Sequence, residues 1–265
     1  MSTPVPSASE AQTTGAALRV EGLGLQIGGA TILKDVDLEI APGSLVGVIG
    51  PNGAGKTTLF NAISGIIKPT AGRILLDGED IARMSVPQRA RAGLGRTFQT
   101  SSLFPRLSVL ENLRLAAQVE LGGNYSMLRV PRRNDEATQL ALATLTQVGL
   151  GHKLDTPAGD ISHGDKRKLE IAVMLAMKAR LVLLDEPMAG VASGDVAGLV
   201  ENIREMQRTS GCTVLMVEHH IDVLMGLVDL VAVMYFGTII ALDTPQKIME
   251  NPTVQSAYLG TGSTA

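Results

Sequence analysis

An α/β fold, with a parallel sheet covered by helices on both faces, is what the sequence predicts, and three observations predict it. Short β-branched runs alternate with helical patterns through the second half of the chain. The run "LVGVI", Leu45 to Ile49, passes through a glycine-rich turn into a helix starting at Lys56. Finally, "LVLL" at 181 to 184 is a fully apolar run ending in two carboxylates, the pattern of a strand buried on both faces.

Taken in order, residues 1–16 carry neither a cationic n-region nor an apolar h-region, so "MSTPVPSASEAQTTGA" reads as a disordered tail and not a secretory signal. Leu18 to Leu25 and Thr31 to Ile40 are β-rich, and "RILLDG" after Gly72 is a further strand. From about Val86 to Leu150 the pattern turns helical, as in "VLENLRLAAQV" and "NDEATQLALATLTQVGL", which predicts a helical insert. A helix after Gly164, strand 181 to 184, helix Asp195 to Thr209, strand "TVLMV" at 213 to 217 and helix "IDVLMGLV" then alternate. The apolar run Leu230 to Leu242 is too short to span a bilayer and is interrupted by Gly237 and Thr238; it reads as a hairpin turning at "FGT", with short helices after it.

The 265 residues, 45% apolar and 18% charged, suffice for a full core. A net charge of -3, with three Tyr, four Phe and no Trp, offers neither the basic surface nor the stacking platform that nucleic-acid binders use, so no nucleic-acid partner is expected. The single cysteine, Cys212, cannot form an internal disulfide; it fits a reducing compartment and reads as a small buried apolar side chain.

The strongest chemical signal is Gly50-Pro51-Asn52-Gly53-Ala54-Gly55-Lys56-Thr57-Thr58, a G-x-x-x-x-G-K-[ST] loop between a strand and a helix. Its glycines let backbone N–H groups and a helix N-terminus face a polyphosphate. Lys56 is placed to reach the β- and γ-phosphates, and the Thr57 hydroxyl to ligate Mg²⁺. The second half of such a site is "LVLLDEP", where Asp185 can face the metal shell and Glu186 the attacking water. Strand "TVLMV" ends in Glu218-His219-His220 at the sheet edge where ligands collect in open α/β folds. Taken alone, His219 is more often a solvated or capping group than a phosphate ligand, and Gln99, at the end of the strand-like "GRTF", more often polar surface.

"ISHGDKRKLEIA", Ile161 to Ala172, has two readings. Ser162 and Asp165 form a capping box above an amphipathic helix marked by Leu169, Ala172, Val173 and Ala176. Lys166, Arg167 and Lys168 oppose the helix dipole in that first turn, which suits either a bound anion or a solvated basic face.

In this order and spacing, "GPNGAGKTT", Gln99 in "GRTFQ", "ISHGD", "LVLLDEP" and His219 resemble the ATP-binding subunit of an ABC transporter over nearly the whole chain from Leu18. The resemblance implies a P-loop NTPase with a RecA-like core, an antiparallel β subdomain and an α-helical subdomain, spanning 17–265 with the helical part at about 100–178. It also implies ATP and Mg²⁺ as cofactors, Gln99 as a glutamine that senses the metal and the membrane partner, and His219 as the switch histidine. Ser162 and Gly164 then fall in the signature motif, which closes on the ATP of a facing subunit. The softer features "GRTFQTSSLFPRLSVLENL", "KRKLEIA" and "GTIIALDTPQKIMENPTVQSAYLG" resemble the ATPases of branched-chain amino-acid importers, a group that includes urea and amide carriers; the "AYLG" tail also resembles the lipopolysaccharide-export ATPase.

The partners this implies are integral-membrane permease subunits, a second ATP-binding subunit and, indirectly, a periplasmic solute-binding protein, at the cytoplasmic face of the inner membrane. Phe104 and Pro105 would receive a permease helix or form an ordinary apolar turn. Ile27 stands where the family usually has an aromatic for adenine, and gives only apolar contact. His163 and Asp165 replace the usual glycine and glutamine of the signature, and "AGVASGD" lacks the usual pair after the carboxylates. A non-transport ABC ATPase would usually carry a second cassette or a long coiled-coil insert, and a GTPase an N-K-x-D motif; this chain has none of these.

Overall fold

A computed structural model describes residues 15–96, 103–121 and 135–259. In chain order the elements are β1 (Leu18–Ile27), β2 (Ala30–Ile40), β3 (Leu45–Ile49), α1 (Lys56–Ser64), β4 (Ala71–Leu76), β5 (Glu79–Asp80), α2 (Val86–Arg91) and β6 (Leu94–Arg96). Then come α3 (Val109–Glu120), α4 (Glu136–Gln147), α5 (His163–Ala176), β7 (Leu181–Asp185), α6 (Ser193–Ser210), β8 (Thr213–Val217) and α7 (Ile221–Leu227). The described chain closes with β9 (Leu230–Tyr235), β10 (Thr238–Asp243), α8 (Pro245–Glu250) and α9 (Pro252–Leu259).

Two sheets result. One has four antiparallel strands in the order β2-β1-β4-β5, with Leu18 opposite Ile40 and Val20 opposite Leu38. The other runs β10-β9-β3-β8-β7-β6, parallel throughout except for the hairpin strand β10 at its edge. The hairpin turns at Phe236 and Gly237 as the sequence predicts. Within the stretch Val86 to Leu150, read as helical apart from the strand-like "GRTF", β6 pairs with β7 through Leu94, Gly95 and Arg96, beginning one residue before that tetrapeptide.

Side-chain alternation on the parallel strands divides the interior into two cores. Val46, Val48, Leu181, Leu183, Leu215, Val217, Ala232 and Met234 face α1 and the antiparallel sheet. Their neighbours Leu45, Ile49, Val182, Leu184, Val214, Met216, Val231 and Val233 face α6, α7 and the C-terminal helices. Because both faces are buried, these strands lack the apolar/polar alternation of a half-exposed sheet. Gly47 lets α7 approach, since a Cβ there would stand 2.6 Å from the Leu224 side chain. Helices α3, α4 and α5 enclose a third apolar core that includes Leu113, Ala141, Leu145 and Leu169.

Candidate active site

The P-loop hangs from the C-terminal end of β3, the central strand, and opens α1. Gly50 must be glycine, because its φ is 151° and a Cβ would meet the Met234 carbonyl oxygen at 2.1 Å. Gly55, with φ 103°, is the N-cap of α1 and leaves that helix's first N–H groups without a side-chain cap. They point into the loop, as phosphate binding requires. Lys56 is buried, and its Nζ donates to the carbonyls of Gly50 at 2.6 Å and Pro51 at 3.0 Å. Burial pulls its ammonium below the ordinary lysine range, partly opposed by the Glu186 charge. Asn52, Gly53 and Thr57 are exposed, and Thr58 and Pro51 are half-buried, while Ala54 is buried and its carbonyl accepts the Gly237 N–H at 3.0 Å.

The other end of α1 is held by a residue that the sequence did not single out. Arg89 on α2 is completely buried, and its guanidinium donates to the carbonyls of Ala62 and Ile63 at 2.6 Å each, Ala82 at 3.0 Å and Met84 at 3.1 Å. A cation over the last carbonyls satisfies them and complements the helix dipole.

Asp185 ends β7 and is buried. One carboxylate oxygen accepts from Arg96 Nη2 at 2.8 Å, and Arg96 Nη1 also reaches Asn61 at 2.8 Å and Ser64 at 2.6 Å on α1. The other, Oδ1, is buried without a hydrogen-bond partner. An open carboxylate oxygen at a strand end, with the Thr57 hydroxyl exposed at the start of α1, fits a hard divalent cation that takes oxygen ligands. Gln99, the third expected ligand, lies outside the described residues.

Glu186 follows with φ 49°, a left-handed conformation that costs a non-glycine residue about 1–2 kcal/mol. The turn aims its carboxylate at His219, whose Nε2 lies 2.9 Å from Glu186 Oε1. The structure thus brings together the acid and the histidine that the sequence placed 33 residues apart.

At the start of α5, Ser162 Oγ accepts the Asp165 N–H at 3.2 Å and donates to Asp165 Oδ2 at 2.9 Å. This is an N-cap but not the reciprocal capping box expected, because the Asp165 side chain bonds the serine hydroxyl instead of its backbone N–H. Lys153 pairs with the same Oδ2. Burial pushes the Asp165 carboxyl up, but the hydrogen bonds from Lys153 and Ser162 and the charges of Lys153 and Lys168 outweigh it and hold it below the ordinary range. The cations that follow are largely spent internally: Lys166 donates to the Gly159 carbonyl at 2.8 Å, and Arg167 pairs with Glu170 at 2.8 Å in a buried contact. A basic face of three free cations is therefore not what the turn presents. Ser162 and His163 remain exposed, and a Cβ on Gly164 would meet the Asp195 carboxylate at 3.3 Å.

Two peripheral expectations fall as follows. Ile27 ends β1 and is 52% exposed, so an apolar face is open to a ligand. Phe104 is exposed and fixed from behind by Asn112, which accepts its N–H at 2.8 Å and donates to its carbonyl at 3.1 Å.

A P-loop at the C-terminal edge of a parallel sheet, with paired strand-end carboxylates and a histidine on the next strand, defines a nucleoside-triphosphatase cassette. The chain belongs to the ABC transporter family, whose profile matches residues 33–189, and is an ATPase of that family. A second profile, "Branched-chain amino acid ATP-binding cassette transporter", matches residues 238–264. The chain is 39% identical to the high-affinity branched-chain amino acid transport ATP-binding protein LivG of Escherichia coli K12, over 92% of this chain and 97% of that one. It is 35% identical to the lipopolysaccharide export system ATP-binding protein LptB of the same strain, over 92% and 98%. Its fold matches the crystal structure of the ADP conformation of MJ1267, an ATP-binding cassette of an ABC transporter, with a TM-score of 0.80 and 29% identity, covering 92% of this chain and 99% of that one. Among the described residues no helix is long and apolar enough to cross a membrane.

Proposed function

We propose that this ATPase powers uptake of branched-chain amino acids, or a related small polar solute such as urea or an amide, through separate permease subunits at the cytoplasmic face of the inner membrane. The observation that carries the hydrolytic half is the Glu186–His219 pair at 2.9 Å beside the P-loop. The phosphates of ATP lie in the loop from Gly50 to Thr58 and accept from its N–H groups other than at Pro51, which has none, and Lys56 exchanges its bonds with the Gly50 and Pro51 carbonyls for phosphate oxygens. Glu186 accepts a proton from the attacking water, and His219 orients the Glu186 carboxylate through Nε2 until a bound phosphate oxygen takes over that N–H. Mg²⁺, held by Asp185 Oδ1 and the Thr57 hydroxyl with Gln99, would neutralise charge on the phosphate oxygens. Ile27 lies against the base.

Ser162 and Gly164 complete the site of a facing ATP-binding subunit, identical or not. In that reading the Ser162 hydroxyl exchanges its bond to Asp165 Oδ2 for a phosphate oxygen and joins the N-terminal N–H groups of α5 as a donor, while Lys153 holds Asp165 aside. The turn at Phe104 and Pro105 is the surface offered to a permease helix, and a periplasmic solute-binding protein delivers the cargo.

The cargo assignment rests on the match of residues 238–264 to the branched-chain amino-acid profile and on the similarity to LivG. Lipopolysaccharide export is the second reading, favoured by the similarity to LptB. Glu186→Gln should bind ATP and lose about 10²–10⁴-fold in turnover; unchanged turnover removes Glu186 from the mechanism. Co-purification with polytopic subunits that take up radiolabelled leucine upon ATP addition supports import, and complementation of a lipopolysaccharide-export defect would overturn it.

A further inference from the structure

We infer that Glu218 is a positioning residue for hydrolysis, its buried carboxylate tying the loop that carries Glu186 to the loop that carries His219. Its side chain is 2% exposed. Oε1 accepts the Met188 N–H at 2.7 Å, two residues past Glu186. Oε2 accepts the His219 N–H at 3.0 Å and the His220 N–H at 3.5 Å, and lies 3.3 Å from His220 Nδ1. Together with the His219 Nε2···Glu186 Oε1 contact, these bonds close a ring through both loops. Glu186 needs such a ring, because it sits in a left-handed conformation that persists only where its surroundings over-determine it.

Glutamate suits this position because a carboxylate has two acceptor oxygens and serves a different loop with each. Glutamine has the same shape but one acceptor; its NH₂ would face an N–H, so one loop must let go. Aspartate keeps both oxygens but is shorter by a methylene. Neither substitution touches the nucleotide, so binding should survive while the catalytic pair loses its alignment, and small misplacements of reacting groups are costly in rate.

The inference rests on the reading of Glu186 and His219 as the hydrolytic pair, and a double-mutant cycle on the purified full chain separates the two. Glu218→Gln is expected to lower kcat about tenfold with KM and ATP affinity within about twofold of wild type. In a His219→Ala background, where the ring is already open, the same substitution should cost clearly less than it does in wild type, because only the Met188 tie to the Glu186 loop remains to be lost. Equal losses in both backgrounds, or kcat within twofold of wild type, overturn the role of Glu218. If Glu218→Gln does not accumulate as folded protein, Glu218→Asp is read in the same cycle, and full turnover there is equally fatal. If Glu186→Gln and His219→Ala themselves keep full turnover, it is the hydrolytic reading that fails.

Discussion

Replacing Arg89 by methionine keeps the volume of the side chain and removes its donors, and the structure sets the size of the effect. Four carbonyls, those of Ala62, Ile63, Ala82 and Met84, lose a charged donor at 2.6 to 3.1 Å. At about 1–3 kcal/mol for each acceptor left unsatisfied, the ceiling is about 12 kcal/mol. Two effects lower it. The guanidinium no longer has to be desolvated, and the Ala62 carbonyl keeps the Gly65 N–H at 3.2 Å. A net loss of about 3–5 kcal/mol remains, the size seen when one partner of a buried charged cluster is deleted. That corresponds to a Tm lower by about 10 °C in a chain of this size. Urea unfolding of the two proteins measures it, and Arg89→Lys should recover only part, since one ammonium cannot span four carbonyls on a helix and a separate turn. A variant within about 1 kcal/mol of wild type would refute the view that Arg89 anchors the far end of the P-loop helix.

Other substitutions test the site more locally. Ser162→Ala should lose about 1 kcal/mol of helix stability as an N-cap and lose ATPase activity while the monomer still binds nucleotide; full activity would leave the serine as a cap alone. Ile27→Tyr should tighten ATP binding about two- to tenfold through ring stacking, with tripolyphosphate affinity unchanged. Since the Asp165 carboxyl lies below its unfolded value in the folded chain, its contribution to stability is full above the ordinary carboxylate range near pH 3.9. It fades as pH falls through the lower folded value. Asp165→Asn should therefore show a shallower fall in urea midpoint below about pH 5, and an unchanged slope would contradict the pairing with Lys153.

What could be read from the sequence was whatever has a local signature. The P-loop, the buried strands β3, β7 and β8 and the β9–β10 hairpin, Leu230 to Asp243, are each written within one short continuous stretch, so their patterns survive without knowledge of neighbours. Arg89, Arg96 and Glu218 are different. Arg89 acts on carbonyls 26 and 27 positions away, Arg96 on a carboxylate 89 away, and Glu218 on an N–H 30 away. A charged residue inside a helix, or at the end of a short strand, looks the same whether its partner is water or a distant backbone. Position 218 had one faint signal, an acid directly after a five-residue apolar strand, the same punctuation that marks Asp185. Likewise, the cations after Ser162 were visible as charges, but their partners Gly159 and Glu170 were not, so the number left for an anion was overcounted.

The turn at Gly237 joins parts of the molecule that are far apart in the chain. Its N–H bonds the Ala54 carbonyl in the P-loop, and its own carbonyl accepts the Lys34 N–H on β2 at 2.9 Å. The segment that carries the branched-chain profile begins at the next residue, Thr238. A backbone shift at Ala54 would be felt first at this corner, where β2 and the start of the C-terminal segment share the same peptide. Two backbone hydrogen bonds at one glycine thus tie the P-loop, β2 and the start of the segment matched by the branched-chain profile into a single corner.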